Sequence, residues 1–527
     1  MRTGVTMTKH LRRILLLGVV LGLALTGRQS MAVDEIFLLP DDDGTTGSIV
    51  ISGGGMDTTL DEPRSKVTLY STLLRQTLTG IPESQIQSVF GGVLSILIGA
   101  DNPLDTLPEI VNLTLATHPA FMEMVHERQA RDELTNVAQG GFRPRINVRG
   151  DIGQEWTRNP TTTLFTDDYI DLSRREVEIG LRQTVFDGWA TFSEFDRRQA
   201  AADASAYQLQ ALGERISAQV ADVYVNLLRD NDLLELANKN MATHEEYLDK
   251  ISARSGSGVG RGADLDQVEA RLAGSQSDVI NSETDLKDTL VRYLNLVGYP
   301  PLEVLIRPEP TKMDLPASLE AALEMAVREH PAIIATEAAM EESRQQLRNA
   351  KSLYWPRIEV GVSTRYGDDL DGVRGFDQDV QLMLYFNYNL YNGGADKAKI
   401  QRSVYTIEQA RNLREDTIRE VRESVRQSWN AFTSTERRMA SLERHVSSMG
   451  KARDAYREQF RIGDRSLLDV LDGEIELYRS RRTLVEARRD YATALYRLRA
   501  SMGTLVDHFA AETPREAQPS MEYVRTH

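Results

Sequence analysis

The sequence has no cysteine, few aromatic residues and no apolar stretch long enough to cross a bilayer as a helix. Without cysteine among 527 residues, the chain can have no disulfide framework and no lipid-acceptor thiol near its start. The apolar run Ile14 to Leu25 has 12 residues, whereas a membrane-spanning helix needs about 20. The formal net charge of −16 argues against binding to nucleic acid or to anionic membrane surfaces.

The first 32 residues are typical of a secretory signal. Lys9, Arg12 and Arg13 precede the apolar run, and Ser30-Met31-Ala32 fits a small-x-small cleavage site. A membrane anchor is the alternative. We predict a signal peptide at 1–32, export of the remainder, and an N-terminal extension of unknown role, partly flexible, at 33–105.

Proline is absent from two long stretches, and this absence permits unusually long helices. None occurs between Pro160 and Pro300 or between Pro356 and Pro514. Apolar residues at helical spacing predict long helices at 190–253 and 395–461, each about 100 Å long at 1.5 Å per residue. A fibrous coiled coil is the alternative, but its heptads would not be interrupted by strands. Shorter helices are predicted at 107–139, 264–297, 317–352 and 466–502.

The chain is internally duplicated. Two motifs occur in both halves. The first is Thr117-His118-Pro119-Ala120, which matches Glu329-His330-Pro331-Ala332, and the second is Arg143-Pro144-Arg145-Ile146, which matches Trp355-Pro356-Arg357-Ile358. The offset is 212 residues in both cases, far longer than a solenoid unit. We predict a first repeat at 106–300, a linker at 301–316, a second repeat at 317–505 and a disordered tail at 506–527.

Each repeat contains two segments in which apolar and polar residues alternate, as in half-exposed strands. They are predicted at about 143–155, 175–186, 356–366 and 378–391, and each is long enough to cross a bilayer when tilted. The apolar face could pack on the helices, but no second sheet is predicted for it, which favours lipid. A four-stranded sheet in lipid has two unpaired edges, so it must close by joining copies of itself around a water-filled lumen.

Two segments resemble the TolC family of outer-membrane efflux and secretion ducts. They are Gly463-Asp464-Arg465-Ser466-Leu467-Leu468-Asp469-Val470-Leu471-Asp472 and Asp266-Gln267-Val268-Glu269-Ala270-Arg271, and the resemblance covers about residues 106–505. It implies a mainly α protomer with membrane β-strands. Three copies would form a homotrimer with a 12-stranded β-barrel in outer-membrane lipid and a periplasmic α-barrel.

The resemblance also implies partners and a transport function. The expected partners are a periplasmic adaptor and an inner-membrane ABC exporter or other pump. Residues 181–191 are similar to the agglutination-protein branch, which implies type I secretion of protein, such as a large adhesin. The alternatives are efflux of drugs or metals and, in another class, a structural periplasmic coiled coil without a pore.

A gate is implied by the same resemblance. Arg465 would bond Asp266, between or within protomers, at a position where the family usually adds a tyrosine and this chain has Phe460. Asp469 and Asp472 match the entrance carboxylates, which in a trimer would form an acidic ring that attracts cations. Without the resemblance, an aspartate here would be read as a solvated or helix-start residue.

Motifs for catalysis are not found. The sequence shows no phosphate loop, nucleophile elbow or paired-cysteine metal site, so we predict no enzyme activity, no cofactor and no metal site. His118 and His330 could form a catalytic pair, but their equivalent positions before Pro119 and Pro331 favour a repeated helix bend. Residues 368–372 resemble a calcium loop only faintly and favour an exposed turn.

Overall fold

The structure is a computed structural model that describes residues 66–68, 106–256, 262–301, 304–309, 312 and 314–521. The predicted signal peptide, most of the extension at 33–105 and the last six residues lie outside this range. The helices are α1 (Leu107–Thr117), α2 (Pro119–Gln139), α3 (Ala190–Gly256), α4 (Gly262–Val297), α5 (Leu319–Glu329), α6 (Pro331–Ser352), α7 (Ala395–Arg461), α8 (Leu467–Met502) and α9 (Leu505–His508). The strands are β1 (Lys66–Thr68), β2 (Arg145–Thr157), β3 (Ile170–Phe186), β4 (Val304–Ile306), β5 (Arg357–Asp368) and β6 (Phe376–Asn387).

The two long helices, α3 and α7, have 67 residues each. The short helices stack beside them: α2 and α4 pack along α3, while α6 and α8 lie between α3 and α7. The end of α8 meets the start of α6, where a Cβ on Gly503 would approach Pro331 Cδ to 2.7 Å. One chain therefore supplies four helical strands side by side. No helix among the described residues is both long and apolar enough to cross a membrane.

His118 and His330 mark the same bend in each repeat. Each ends one helix and begins the next with extended backbone, and a proline follows at the first helical position. His330 Nδ1 accepts a hydrogen bond from the Ala332 backbone N–H at 3.2 Å, and burial lowers the pKa of His330 to about 4. The prediction of a helix bend is confirmed.

The four long strands form one antiparallel sheet in the order β2-β3-β5-β6. Its apolar face is open in the single chain: Ile152 is 83% exposed, Leu382 74% and Val148 70%. The alternative in which the helices cover this face is therefore wrong. On the other face, Arg365 pairs with Asp379 at 2.5 Å. Among the described residues, only β3 and β5 have a strand on both sides, so β2 and β6 present open edges to further copies.

Strand bounds and the linker differ from the sequence prediction. β3 begins at Ile170 rather than near 175, and β6 ends at Asn387 rather than 391. The segment predicted as a linker at 301–316 contains β4, which pairs antiparallel with β1. The partner of β4 is β1, which lies far away in the chain, so the local sequence does not reveal this pairing.

The prediction of a disordered tail from residue 506 is wrong as far as residue 521. Leu505, Val506 and Phe509 are buried against the first repeat. The Glu214 carboxylate accepts hydrogen bonds from the backbone N–H groups of Leu505 at 2.9 Å and Val506 at 3.1 Å. These contacts join the C-terminal segment to the middle of α3.

We expect Glu214 to make this attachment dependent on pH. Burial raises its pKa to about 7, against a smaller lowering by the two backbone hydrogen bonds. The folded pKa lies above the ordinary value of 4.5. Glu214 therefore contributes fully to the free energy of unfolding below pH 4.5, and this contribution is lost as the pH rises through about 7. We expect hydrogen exchange at residues 505–517, corrected for intrinsic rates, to show more protection at pH 5.5 than at pH 8. Glu214→Gln should remove the difference, and an unchanged difference in that variant would assign it to another group.

Candidate gate at the helix hairpins

Two helix hairpins meet at the end of the molecule opposite the sheet. Hairpin 1 is the end of α3 with the start of α4, and hairpin 2 is the end of α7 with the start of α8. Residues 257–261 of the first turn lie outside the described range. A separate apolar cluster holds the two hairpins together; its buried members are Tyr247, Ile251, Val268, Leu467, Val470 and Leu471.

The turn of hairpin 2 is built by local capping. Gly463 adopts a positive φ of 83°, which favours glycine. Ser466 is the N-cap of α8: its Oγ accepts from the Asp469 backbone N–H at 3.2 Å and donates to Asp469 Oδ2 at 2.8 Å. Asp469 therefore serves as a helix-start carboxylate in the single chain, which is the reading that its sequence position alone favours.

Arg465 does not contact Asp266 within the chain, although both residues are described. Its guanidinium lies 3.8 Å from the centroid of the Tyr456 ring, and its Nε lies 3.9 Å from Asp469 Oδ2. Phe460 instead lies beneath the guanidinium of Arg254, at 5.5 Å. A bond between Arg465 and Asp266 of different protomers stays a prediction.

The two entrance carboxylates differ in their surroundings. Asp472 Oδ1 accepts a hydrogen bond from Arg271 Nη2 of hairpin 1 at 3.0 Å, so part of its charge is balanced. Asp469 and Asp472 remain 49% and 57% exposed and can face solvent or other copies. The acidic ring stays a prediction.

The sequence analysis missed a buried ionic network beside the gate residues. Glu474, only 6% exposed, pairs with Arg453 at 3.0 Å and with Arg457 at 2.9 Å. Tyr247 of hairpin 1 accepts from Arg457 Nε at 2.9 Å, and its hydroxyl lies 3.4 Å from Glu474 Oε1. Burial raises the pKa of Tyr247. The network therefore links both hairpins through hydrogen bonds.

A signal for this network is present in the sequence. Glu474 follows Val470 and Leu471 and precedes Leu477 on the buried face of α8, so a carboxylate interrupts an apolar stripe. Such a residue requires cationic or hydrogen-bonding partners from neighbouring helices. The sequence alone does not say which arginines supply them.

Comparison with known proteins identifies the family. The sequence profile described as "Outer membrane efflux protein" matches residues 110–299 and 322–504, one match for each repeat. The chain belongs to this family, whose members are non-enzymatic outer-membrane channel-tunnels of the TolC type.

Curated relatives and a solved structure agree with that assignment. The alkaline protease secretion protein AprF of Pseudomonas aeruginosa is 24% identical over 405 residues, covering 75% of this chain and 83% of AprF. The outer membrane efflux protein BepC of Brucella suis biovar 1 is 25% identical over 377 residues, covering 71% and 80%. The Campylobacter jejuni CmeC outer membrane channel has the same fold, with a TM-score of 0.66, 12% identity and coverage of 76% and 86%.

The fold and the family together place the chain in the cell. It is an outer-membrane channel-tunnel protein whose helical part lies in the periplasm. The open apolar face of the sheet is the part that suits lipid, because its side chains are exposed in the part of the chain that the structure describes. The hairpins are then the periplasmic end.

Proposed function

We propose that three copies of this chain form the exit duct of a type I secretion system that exports protein across the periplasm and outer membrane. The observation that supports closure by copies is the sheet itself, which has two open edges and an exposed apolar face. A periplasmic adaptor and an inner-membrane ABC exporter would complete the pathway and supply the energy.

Protein export is favoured over small-molecule efflux by similarity to AprF, which is named for secretion of alkaline protease. Similarity to BepC, which is named as an efflux protein, favours efflux of small molecules as the second candidate. Deletion of the gene, with assays of exported protein and of drug sensitivity, separates them. Loss of an exported protein without a change in drug sensitivity is expected; the reverse result would contradict the secretion function.

Arg465 is proposed to hold the closed periplasmic end by bonding Asp266 of an adjacent copy. In the single chain the Arg465 side chain is only 31% exposed, and its guanidinium already contacts Tyr456, which orients it. We expect Arg465→Ser to raise single-channel conductance in planar bilayers several-fold, because a charge-assisted bond is lost in each copy. Arg461→Ser is a matched control, since Arg461 pairs only locally with Glu458. Equal conductance of the Arg465 variant and the native protein would remove the bond from the mechanism.

Asp469 and Asp472 are proposed to form the entrance ring. Six exposed carboxylates near one axis would bind polyvalent cations, because like charges brought together attract counter-ions. We expect Asp469→Ala with Asp472→Ala to weaken block by a trivalent cation at least about tenfold, which corresponds to about 1.4 kcal/mol. Glu476→Ala, an exposed carboxylate two turns along α8, serves as the control. Block that survives the double substitution would place the cation site elsewhere.

A further inference from the structure

A cleft of about 500 Å³ opens where the sheet joins the helices. One wall is the turn from β3 into α3, with Trp189, Phe192 and Asp196; the other is the end of α6 and the start of β5, with Arg348, Lys351 and Trp355. Trp189, Phe192 and Trp355 are 55%, 58% and 53% exposed. A cleft with both apolar rings and charged groups suits an amphipathic ligand.

The aromatic wall is held in a fixed arrangement. The Trp189 and Trp355 rings meet edge to face with centroids 5.6 Å apart, and Phe186 at the end of β3 lies 5.3 Å from Trp189. Trp189 has a positive φ of 66°, which is strained for a bulky residue. A Cβ on Gly188 would lie 2.6 Å from Trp355 Cβ, so only glycine permits this close approach.

The charged groups of the cleft have no ionic partner among the described residues. Arg348 donates only to the neutral Gln345 side chain, at 3.3 Å, and Lys351, three residues further on the same helix face, makes no ion pair within the described chain. Asp196 on the opposite wall likewise has no ion pair there. Two cations and one anion thus face the cleft without partners.

The sheet edges at which further copies would join lie away from this cleft. It lies between α3 and α6, which pack on each other, and beneath β3 and β5, the two inner strands of the sheet. Further copies would join at β2 and β6, the outer strands. Because the strands end here and the helices continue into the periplasm, the cleft lies at the level of the inner-leaflet headgroups.

We propose that this cleft binds a glycerophospholipid of the inner leaflet, with preference for a phosphoethanolamine headgroup. Arg348 and Lys351 would hold the phosphate through charge-assisted hydrogen bonds. The ethanolamine ammonium would meet Asp196 and the faces of the tryptophan rings. The acyl chains would then follow the exposed apolar face of the strands. The cleft has two cations and one anion, whereas the headgroup has one anionic phosphate and one cationic ammonium. The charges are therefore complementary, and the cleft has one cation more than the phosphate needs.

Native mass spectrometry of the full-length protein in detergent tests the proposal, with dioleoyl phosphatidylethanolamine and dioleoyl phosphatidylglycerol as probes. We expect one phosphatidylethanolamine per protomer to remain bound. Arg348→Gln with Lys351→Gln should lower the occupancy about tenfold for both lipids. Asp196→Asn should remove the preference for phosphatidylethanolamine while retaining phosphatidylglycerol. Arg344→Gln is the matched control, because Arg344 lies one turn away on α6 and already pairs with Glu341 at 3.1 Å.

Several outcomes would overturn the proposal. They are equal lipid occupancy in the double variant and the native protein, no retained phospholipid in the native protein, and complete displacement of the lipid by millimolar inorganic phosphate, which would indicate an anion site only. All three substituted side chains are on the surface and outside any ion pair, so folding is expected to persist. If a variant fails to assemble, competition between the two lipids on the native protein still decides the headgroup preference.

Discussion

Replacing Leu382 by arginine should prevent stable insertion of the protein into the outer membrane. Leu382 lies in the middle of β6, is 74% exposed on the apolar face and has Val362 beside it on β5. A charged residue on the lipid face near the bilayer centre costs about 2–4 kcal/mol, and each copy in an assembled duct would bear this cost. We expect a large decrease in the protein recovered from the outer-membrane fraction and in the oligomer seen without heating.

The neighbouring Gln381 provides the control for this prediction. It lies on the opposite, polar face of β6, beside Ser363, so an arginine there would face water. Gln381→Arg should insert and assemble as the native protein does. If Leu382→Arg is recovered from the outer membrane in the native amount, the apolar face does not contact lipid.

The long helices and the sheet could be predicted because their signals are local. The absence of proline and the apolar spacing of Ile418, Val421 and Val425 act within α7 itself, and these three residues are buried in the structure. The strand alternation is also local, and the apolar face that it predicts is exposed in the single chain. The duplicated fold with four strands and two long helices is therefore confirmed.

The C-terminal segment could not be predicted because its partners are far away in the chain. Most of its residues are polar or charged, but Leu505, Val506 and Phe509 have the spacing of a short apolar helix face. Their burial depends on Glu214, which lies about 290 residues earlier and caps α9. Local composition indicates disorder where a distant carboxylate and an apolar surface create order.

The gate shows the limit of resemblance as a guide. The resemblance implies that Asp266, Phe460, Arg465, Asp469 and Asp472 belong to the gate, but it does not imply how this chain arranges them. In the structure, Tyr456 rather than a residue at position 460 provides the aromatic partner of Arg465. Hydrogen bonds of Tyr247 with Arg457 and Glu474 also join the two hairpins, and the resemblance did not point to any of these three residues.

Replacing Glu474 by alanine should loosen the two hairpins and raise the conductance of the duct. The substitution leaves Arg453, with a side chain only 17% exposed, without its buried counter-charge. Removing one partner of a buried ion pair costs about 3–5 kcal/mol, and the value here should be lower because Arg457 is 40% exposed. We expect a larger and more variable single-channel conductance and faster hydrogen exchange in residues 244–256 and 453–474.

Two further variants separate the network from a general effect of lost charge. Glu476→Ala removes an exposed carboxylate on the same helix and should change neither measurement. Tyr247→Phe removes the hydroxyl that joins hairpin 1 to Arg457 and Glu474, and should give a smaller effect in the same direction because it leaves no buried charge without its partner. A Glu474→Ala protein with native conductance and native exchange would show that the apolar cluster around Val470 and Leu471 alone holds the hairpins together.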